Sequence, residues 1–236
     1  MATGSPLLEP RREVPAGARD LEVLRFVARH GMVSPDQLRA GFFRSAATAG
    51  QHLHALAASG LITRQRVVVD LPEVIRATPR GTRLSGCDLP PANLDLARIR
   101  HSLALVDLAL ELLAAHPGGR WTTERELRRD RMRAARARGR WEPLRRVPDG
   151  LLELSDGRRV AVELDLTPKR STRLDLLAGA YAVDPDVDVV WWYLPSRRAA
   201  HRMLRVVTER GLEHLIEPRT RDRGLAAVAA EPALSN

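Results

Sequence analysis

Cysteine, lysine and aromatic residues are scarce in this chain, and each scarcity excludes something. Cys87 is the single cysteine in 236 residues, so neither an intramolecular disulfide nor a cysteine metal site can form. Aromatic residues make up 4% of the chain, so cores must be built from leucine, valine and alanine within a hydrophobic fraction of 44%. No apolar run approaches the roughly 18 residues a membrane-spanning helix needs. Met1 to Ala16 is polar and proline-punctuated, without the form of a signal peptide, and a cytoplasmic location is expected. There is no Walker A loop, no dinucleotide-binding loop and no internal repeat, which removes the nucleotide chemistries those loops support.

What the chain has is arginine. Lysine and arginine total 38 against 29 acids, for a net charge of +9, and Lys169 is the only lysine among them. So basic a chain favours an anionic partner. The segment Arg125 to Arg146 holds ten arginines against Glu126, Asp130 and Glu142, a local +7. Gly139 and Pro143 interrupt any long helix there. Arg133, Arg136, Arg138 and Arg140 are candidate phosphate contacts, with a basic loop that only aids solubility as the alternative.

The pattern divides the chain. Residues 1–17 read as a disordered arm. Residues 18–86 begin with an amphipathic helix carrying Leu21, Leu24, Val27 and Ala28 on one stripe. Ser34-Pro35 starts a second helix, and a third runs from about Ala46 to Ser59. Ala49, Leu53 and Leu56 point inward on that third helix, leaving Thr48, Gln51 and His52 outside. Two β segments follow, Leu61 to Val69 and Val74 to Ala77, and then a short helix at Thr78-Pro79-Arg80-Gly81. Three helices and a hairpin is the order of a winged helix-turn-helix, whose third helix enters the major groove. Arg44, Arg64 and Arg66 would meet phosphates. A winged helix used only for protein contacts is the alternative.

Residues 87–93, with Pro90-Pro91, read as a linker. In 94–218 a long helix is expected over Leu94 to His116, with His101 at the edge of its apolar face as a structural residue. A strand is expected from Trp121 to Leu127, bearing Glu124 and Glu126. A helix over Ser171 to Val183, a strand over Val187 to Leu194, a helix over Arg197 to Arg210 and an edge strand over Leu212 to Ile216 follow. Residues 219–236 read as a flexible tail.

The densest chemistry lies between Pro148 and Lys169. Two strands meet at a turn on Asp156-Gly157. On the second strand Glu163 and Asp165 share the face opposite Val162 and Leu164, because strand side chains alternate. Asp149 opens the partner strand. Three converging carboxylates repel unless something positive sits among them, and such clusters suit Mg²⁺ or Mn²⁺.

Pro148-Asp149 and Glu163-Leu164-Asp165 resemble the PD-(D/E)xK nuclease superfamily, a restriction-endonuclease-like mixed sheet flanked by helices. That resemblance implies a metal on Asp149, Glu163 and Asp165. It also implies a lysine that orients the attacking water; its usual slot holds Asp165, and Lys169 follows as a relocated candidate. The fold class implied is α/β (α+β), a winged helix followed by that core. The whole order is similar to the replication-relaxation family, through the helix Asp20 to Arg29, Ser45 to Leu61 and Thr78-Pro79-Arg80-Gly81. His101 to Asp107, Trp121 to Arg125, Pro148-Asp149-Gly150 and Val162 to Asp165 extend the likeness. It implies a double-stranded DNA-binding protein linked to replication or maintenance of plasmids or mobile elements. Two alternatives stay open: an active metal-dependent DNA endonuclease, with Mg²⁺ or Mn²⁺ as cofactor, and an adaptor for replication or mobilisation proteins. A homodimer is also left open; a membrane partner is not expected.

Overall fold

The computed structural model describes residues 17–67, 69–139 and 146–221. Residues 1–16 of the expected arm 1–17, Arg140 and most of the tail lie outside them, while Gly17 is the N-cap of the first helix. The chain divides into two compact units at Leu94/Asp95. Among the described residues there are eight α-helices and two sheets, one of two strands and one mixed sheet of five. No helix there is long and apolar enough to cross a membrane.

In the first unit α1 (Ala18–His30), α2 (Pro35–Phe42) and α3 (Ala46–Ala58) precede an antiparallel pair, β1 (Ile62–Gln65) and β2 (Val74–Ala77). Ser34 caps α2 by accepting from the Gln37 amide, with Pro35 at the first helical position, where its missing N–H costs nothing. Val23, Leu24, Val27, Leu38 and Ile75 are wholly buried, each contributing about 1.5–3 kcal/mol relative to exposure. β1 ends four residues earlier than its apolar sequence suggested. Its residues after Ile62 are progressively exposed, so there is no face left to bury.

The motif Thr78-Pro79-Arg80-Gly81 opens α4 (Pro79–Leu84) and fastens it to the end of α3. The Thr78 hydroxyl donates to Gly60 O at 2.8 Å, and Arg80 Nη1 donates to Ser59 O at 3.1 Å. Gly81 lets the two segments touch: a Cβ there would sit 1.9 Å from the Leu61 carbonyl oxygen.

In the second unit a 3₁₀ turn at Leu96–Arg98 leads into α5 (Ile99–Ala115). Then come β3 (Arg120–Thr123), α6 (Glu124–Ala137), β4 (Gly150–Glu153), β5 (Arg159–Leu164), α7 (Ser171–Tyr181), β6 (Val189–Leu194), α8 (Arg197–Glu209) and β7 (Ile216–Thr220). The strand order is β3-β4-β5-β6-β7, antiparallel from β3 to β5 and parallel from β5 to β7. Alternation on β5 holds as expected. Ala161 packs with Leu174, Ala178 and Met203 of α7 and α8, while Val160, Val162 and Leu164 pack with Leu108 and Leu112 of α5.

Three expectations fail here. The strand at Trp121 stops at Thr123, because Thr123 caps a helix: its hydroxyl accepts from the Glu126 amide and Glu126 reaches back to the Thr123 amide. Glu124 and Glu126 are thus helix-start residues, and much of the arginine-rich segment is α6. The last strand starts at Ile216 rather than Leu212, since the amides of Leu215 and Ile216 close a turn onto Leu212 O. Arg219 and Thr220 belong to that strand rather than to a tail. The hairpin turn is also longer than a two-residue one. Leu154 N donates to Arg158 O across Ser155–Gly157, with Gly157 at φ 88°.

Candidate functional site

Two regions carry candidate chemistry, one in each unit. In the first, α3 is acid-free and turns small or hydrogen-bonding residues outward. Thr48 and Gln51 are exposed, as are Gly50 and His54, which the sequence reading passed over. Arg44 and Arg66 are exposed and make no ion pair with any described residue. Two expected contacts are engaged elsewhere. His52 Nδ1 lies 2.6 Å from Asp20 Oδ1, with its ring 5.1 Å from that of Phe43, so it ties α3 to the start of α1. Arg64 donates through Nε (3.0 Å) and Nη2 (2.6 Å) to Glu73 Oε2 across the hairpin.

In the second unit Asp149, Glu163 and Asp165, at the β4–β5 hairpin, each hold a hydrogen-bond donor from this chain. Glu163 is 2% exposed. Arg146 grips it in a fork, Nε to Oε1 at 2.9 Å and Nη2 to Oε2 at 2.5 Å, and the Tyr181 hydroxyl donates to Oε1. The guanidinium carbon lies 5.7 Å from the ring centroids of both Tyr181 and Trp192. The Arg146 carbonyl accepts from Arg131, whose other nitrogen donates to Asp184 at 3.2 Å.

Asp149 faces His101 instead. Its Oδ2 accepts from the Leu164 amide at 2.9 Å and lies 3.3 Å from His101 Nε2, which is also 3.1 Å from Leu164 O. Both neighbours of Nε2 are acceptors, so that nitrogen carries a proton. Asp165 Oδ1 pairs with Lys169, and Oδ2 accepts from the Trp192 indole at 3.1 Å. Gly150 keeps this end of β4 open to aromatic packing: a Cβ there would lie 2.0 Å from the Trp121 ring.

The electrostatics follow from burial and these partners. Burial, then the nearby Asp149 charge, push Glu163 up to about 7, against the pull of Arg146 and Tyr181. Burial raises Asp149, but the His101 hydrogen bond and charge outweigh it and hold the carboxyl below its ordinary value. The same hydrogen bond raises His101 against the opposing effect of burial. Burial, then the Glu163 charge, raise the Tyr181 hydroxyl, so it remains a donor at any ordinary pH.

Asp149 and Glu163 are therefore brought together around Arg146, while Asp165 and Lys169 form an adjoining pair. A divalent ion, implied by the nuclease resemblance, does not fit this arrangement. Both oxygens of Glu163 and both of Asp165 already accept donors, and Arg146, Lys169 and the His101 N–H relieve the repulsion a metal would relieve. No cluster of three or more His, Cys, Asp or Glu able to hold a metal occurs among the described residues. Sequence reasoning missed Arg146, Tyr181 and Trp192 as parts of this site and gave His101 only a structural role. A single clue existed: Arg146 is the last arginine before Pro148-Asp149.

Of the arginines expected to meet phosphate, Arg133, Arg136 and Arg138 are exposed on or just after α6. Comparison with protein-family models, curated proteins and solved structures finds no match to this chain.

Proposed function

We propose that the protein binds double-stranded DNA, with its first unit acting as a winged helix and its second as a nuclease-like core that holds the backbone. One observation carries this reading. From Arg44 to Arg66 the chain has three arginines and two histidines in 23 residues and not one acid. That stretch contains the whole of α3 and β1; His52 and Arg64 are taken up by Asp20 and Glu73, and Arg44 and Arg66 stay exposed for a polyanion. The exposed side chains of α3 are small enough for backbone approach or, at Thr48 and Gln51, able to bond base edges. The replication-relaxation likeness read from the sequence adds a role in replication or maintenance of plasmids or mobile elements.

The acidic site enters this reading as a salt-locked cluster that fixes the β4–β5 hairpin. No cleavage step is derived from it, because its carboxylates are already committed to Arg146, His101 and Lys169. Selection of binding sites from a random duplex pool by the full chain tests the proposal. Enrichment of a common site, with affinity falling steeply in salt, is expected. Salt-insensitive or undetectable duplex binding would sink it.

A further inference from the structure

The outward face of α8 carries a charge pattern the proposed DNA-binding role does not yet use. Arg198, His201, Arg202 and Arg205 fall at i, i+3, i+4 and i+7, on one stripe, and line an open hollow of about 540 Å³. Arg198, Arg202 and Arg205 make no ion pair with any described residue. No acid occurs between Val189 and Thr208. Arginines at the helix start oppose its macrodipole, and like charges at i, i+4 repel. The fold tolerates both costs at this place, and a polyanion would relieve both. Arg202 Nη1 donates to Lys169 O at 3.1 Å, joining the stripe to the loop that leads into α7, at whose start Arg170 and Arg173 are exposed.

We propose that this face of α8 is a second contact with the phosphate backbone of duplex DNA, independent of sequence. The inference rests on the DNA-binding reading and deepens it. From Arg198 to Arg205 is about 10 Å along the helix axis, close to three base-pair steps of about 3.4 Å. A membrane fits less well. The apolar side of α8, Ala199, Ala200, Met203, Val206 and Val207, is buried in the protein core and has nothing to insert into lipid. Single strands fit less well too, because no aromatic side chain stands on the stripe for bases to stack on.

The test compares the full wild-type chain, Arg198→Gln/Arg205→Gln and a charge-matched control, Arg120→Gln/Arg158→Gln. The control arginines are exposed but already paired, with Glu153 and Asp156. Affinity for random-sequence duplex is measured against salt. The stripe variant should lose about two from the log–log slope, at about 0.9 per phosphate contact, with an equal loss on every sequence, while the control keeps the wild-type slope. An unchanged slope in the stripe variant, or an equal drop in the control, overturns the α8 contact and leaves the DNA-binding reading standing. A wild type that binds no duplex overturns both. Binding to phosphatidylserine vesicles that the stripe variant loses, with its duplex slope intact, assigns the face to lipid instead.

Discussion

Arg146 occupies the fork of Glu163, with two parallel hydrogen bonds, at the point where Asp149 also feels its charge. A buried carboxylate stripped of such a partner keeps its desolvation cost without the compensating attraction. Arg146→Met should therefore lower unfolding stability by about 3–5 kcal/mol, and Arg146→Met/Glu163→Gln by much less, since replacing both members removes the stranded charge. Urea denaturation of the two variants checks this. Equal losses would mean the ion pair is incidental to the hairpin's packing.

The same pair decides how the protein meets a divalent ion. With Arg146 in place, millimolar Mn²⁺ should leave the wild-type melting temperature unchanged. In Arg146→Met the acids Asp149 and Glu163 lose their shared guanidinium, and Mn²⁺ should raise the melting temperature by mass action on the native state. A rise in wild type as large as in the variant would show that the guanidinium does not stand in for the metal.

Why the acids were legible and their partners were not is a matter of distance along the chain. Alternation on one strand places Glu163 and Asp165 on a common face whatever surrounds them. Their partners come from the far-separated His101, Arg146, Tyr181 and Trp192, and no local periodicity encodes a contact across 48 residues such as His101 with Asp149. Lys169, only four residues from Asp165, was singled out for a metal site rather than as the partner of Asp165. The miss at α6 has a local cause. Trp121 to Leu127 alternates like a strand, and the capping pair Thr123 and Glu126 outweighs that alternation by satisfying otherwise orphaned amides. In the first unit α2 and α3 were legible because Ser34 and Ser45 cap them and Leu38, Leu53 and Leu56 mark their buried sides.

Stability should depend on pH in a way these groups set. Glu163 has a folded pKa of about 7 against an ordinary value of 4.5. Between those values the native state binds more protons than the unfolded state, so stability falls as pH rises through the window. His101, raised above 6.5, continues the fall above that value. Asp149, held below 3.8, contributes stability that is lost as pH drops into the acid range. Denaturation midpoints should decline from about pH 5 to about pH 7, and Glu163→Gln should flatten that decline. A variant as pH-dependent as wild type would remove Glu163 from the titration.

Gly81 offers a test of the first unit that involves no charge. Its absent side chain lets the Leu61 carbonyl lie where a Cβ would stand, and the clashing atom is backbone, which cannot swing aside. Gly81→Ala should destabilise this unit by about 1–3 kcal/mol or more, at the level of overpacked cores. Gly50→Ala, with nothing within 4 Å of its Cβ position, should be tolerated and even favoured by helix propensity. Thermal melting separates the two.

The two neighbours Gln51 and His52 should separate recognition from folding. Gln51 is exposed on α3, while His52 is half-buried and bonded to Asp20 at 2.6 Å. Gln51→Ala should leave the melting temperature unchanged and cost about 1–3 kcal/mol of discrimination between a selected site and random duplex, the worth of a base-edge contact. Thr48→Ala should act in the same direction, with some loss of helix stability, because its hydroxyl also bonds Ser45 at 2.9 Å. His52→Ala should lower the melting temperature and weaken both duplexes alike, since it loosens α3 from α1 without touching a base. Parallel melting and competition-binding measurements on the three variants decide the matter. If Gln51→Ala weakens selected and random duplex equally, α3 holds DNA without reading it, and sequence preference must come from another element.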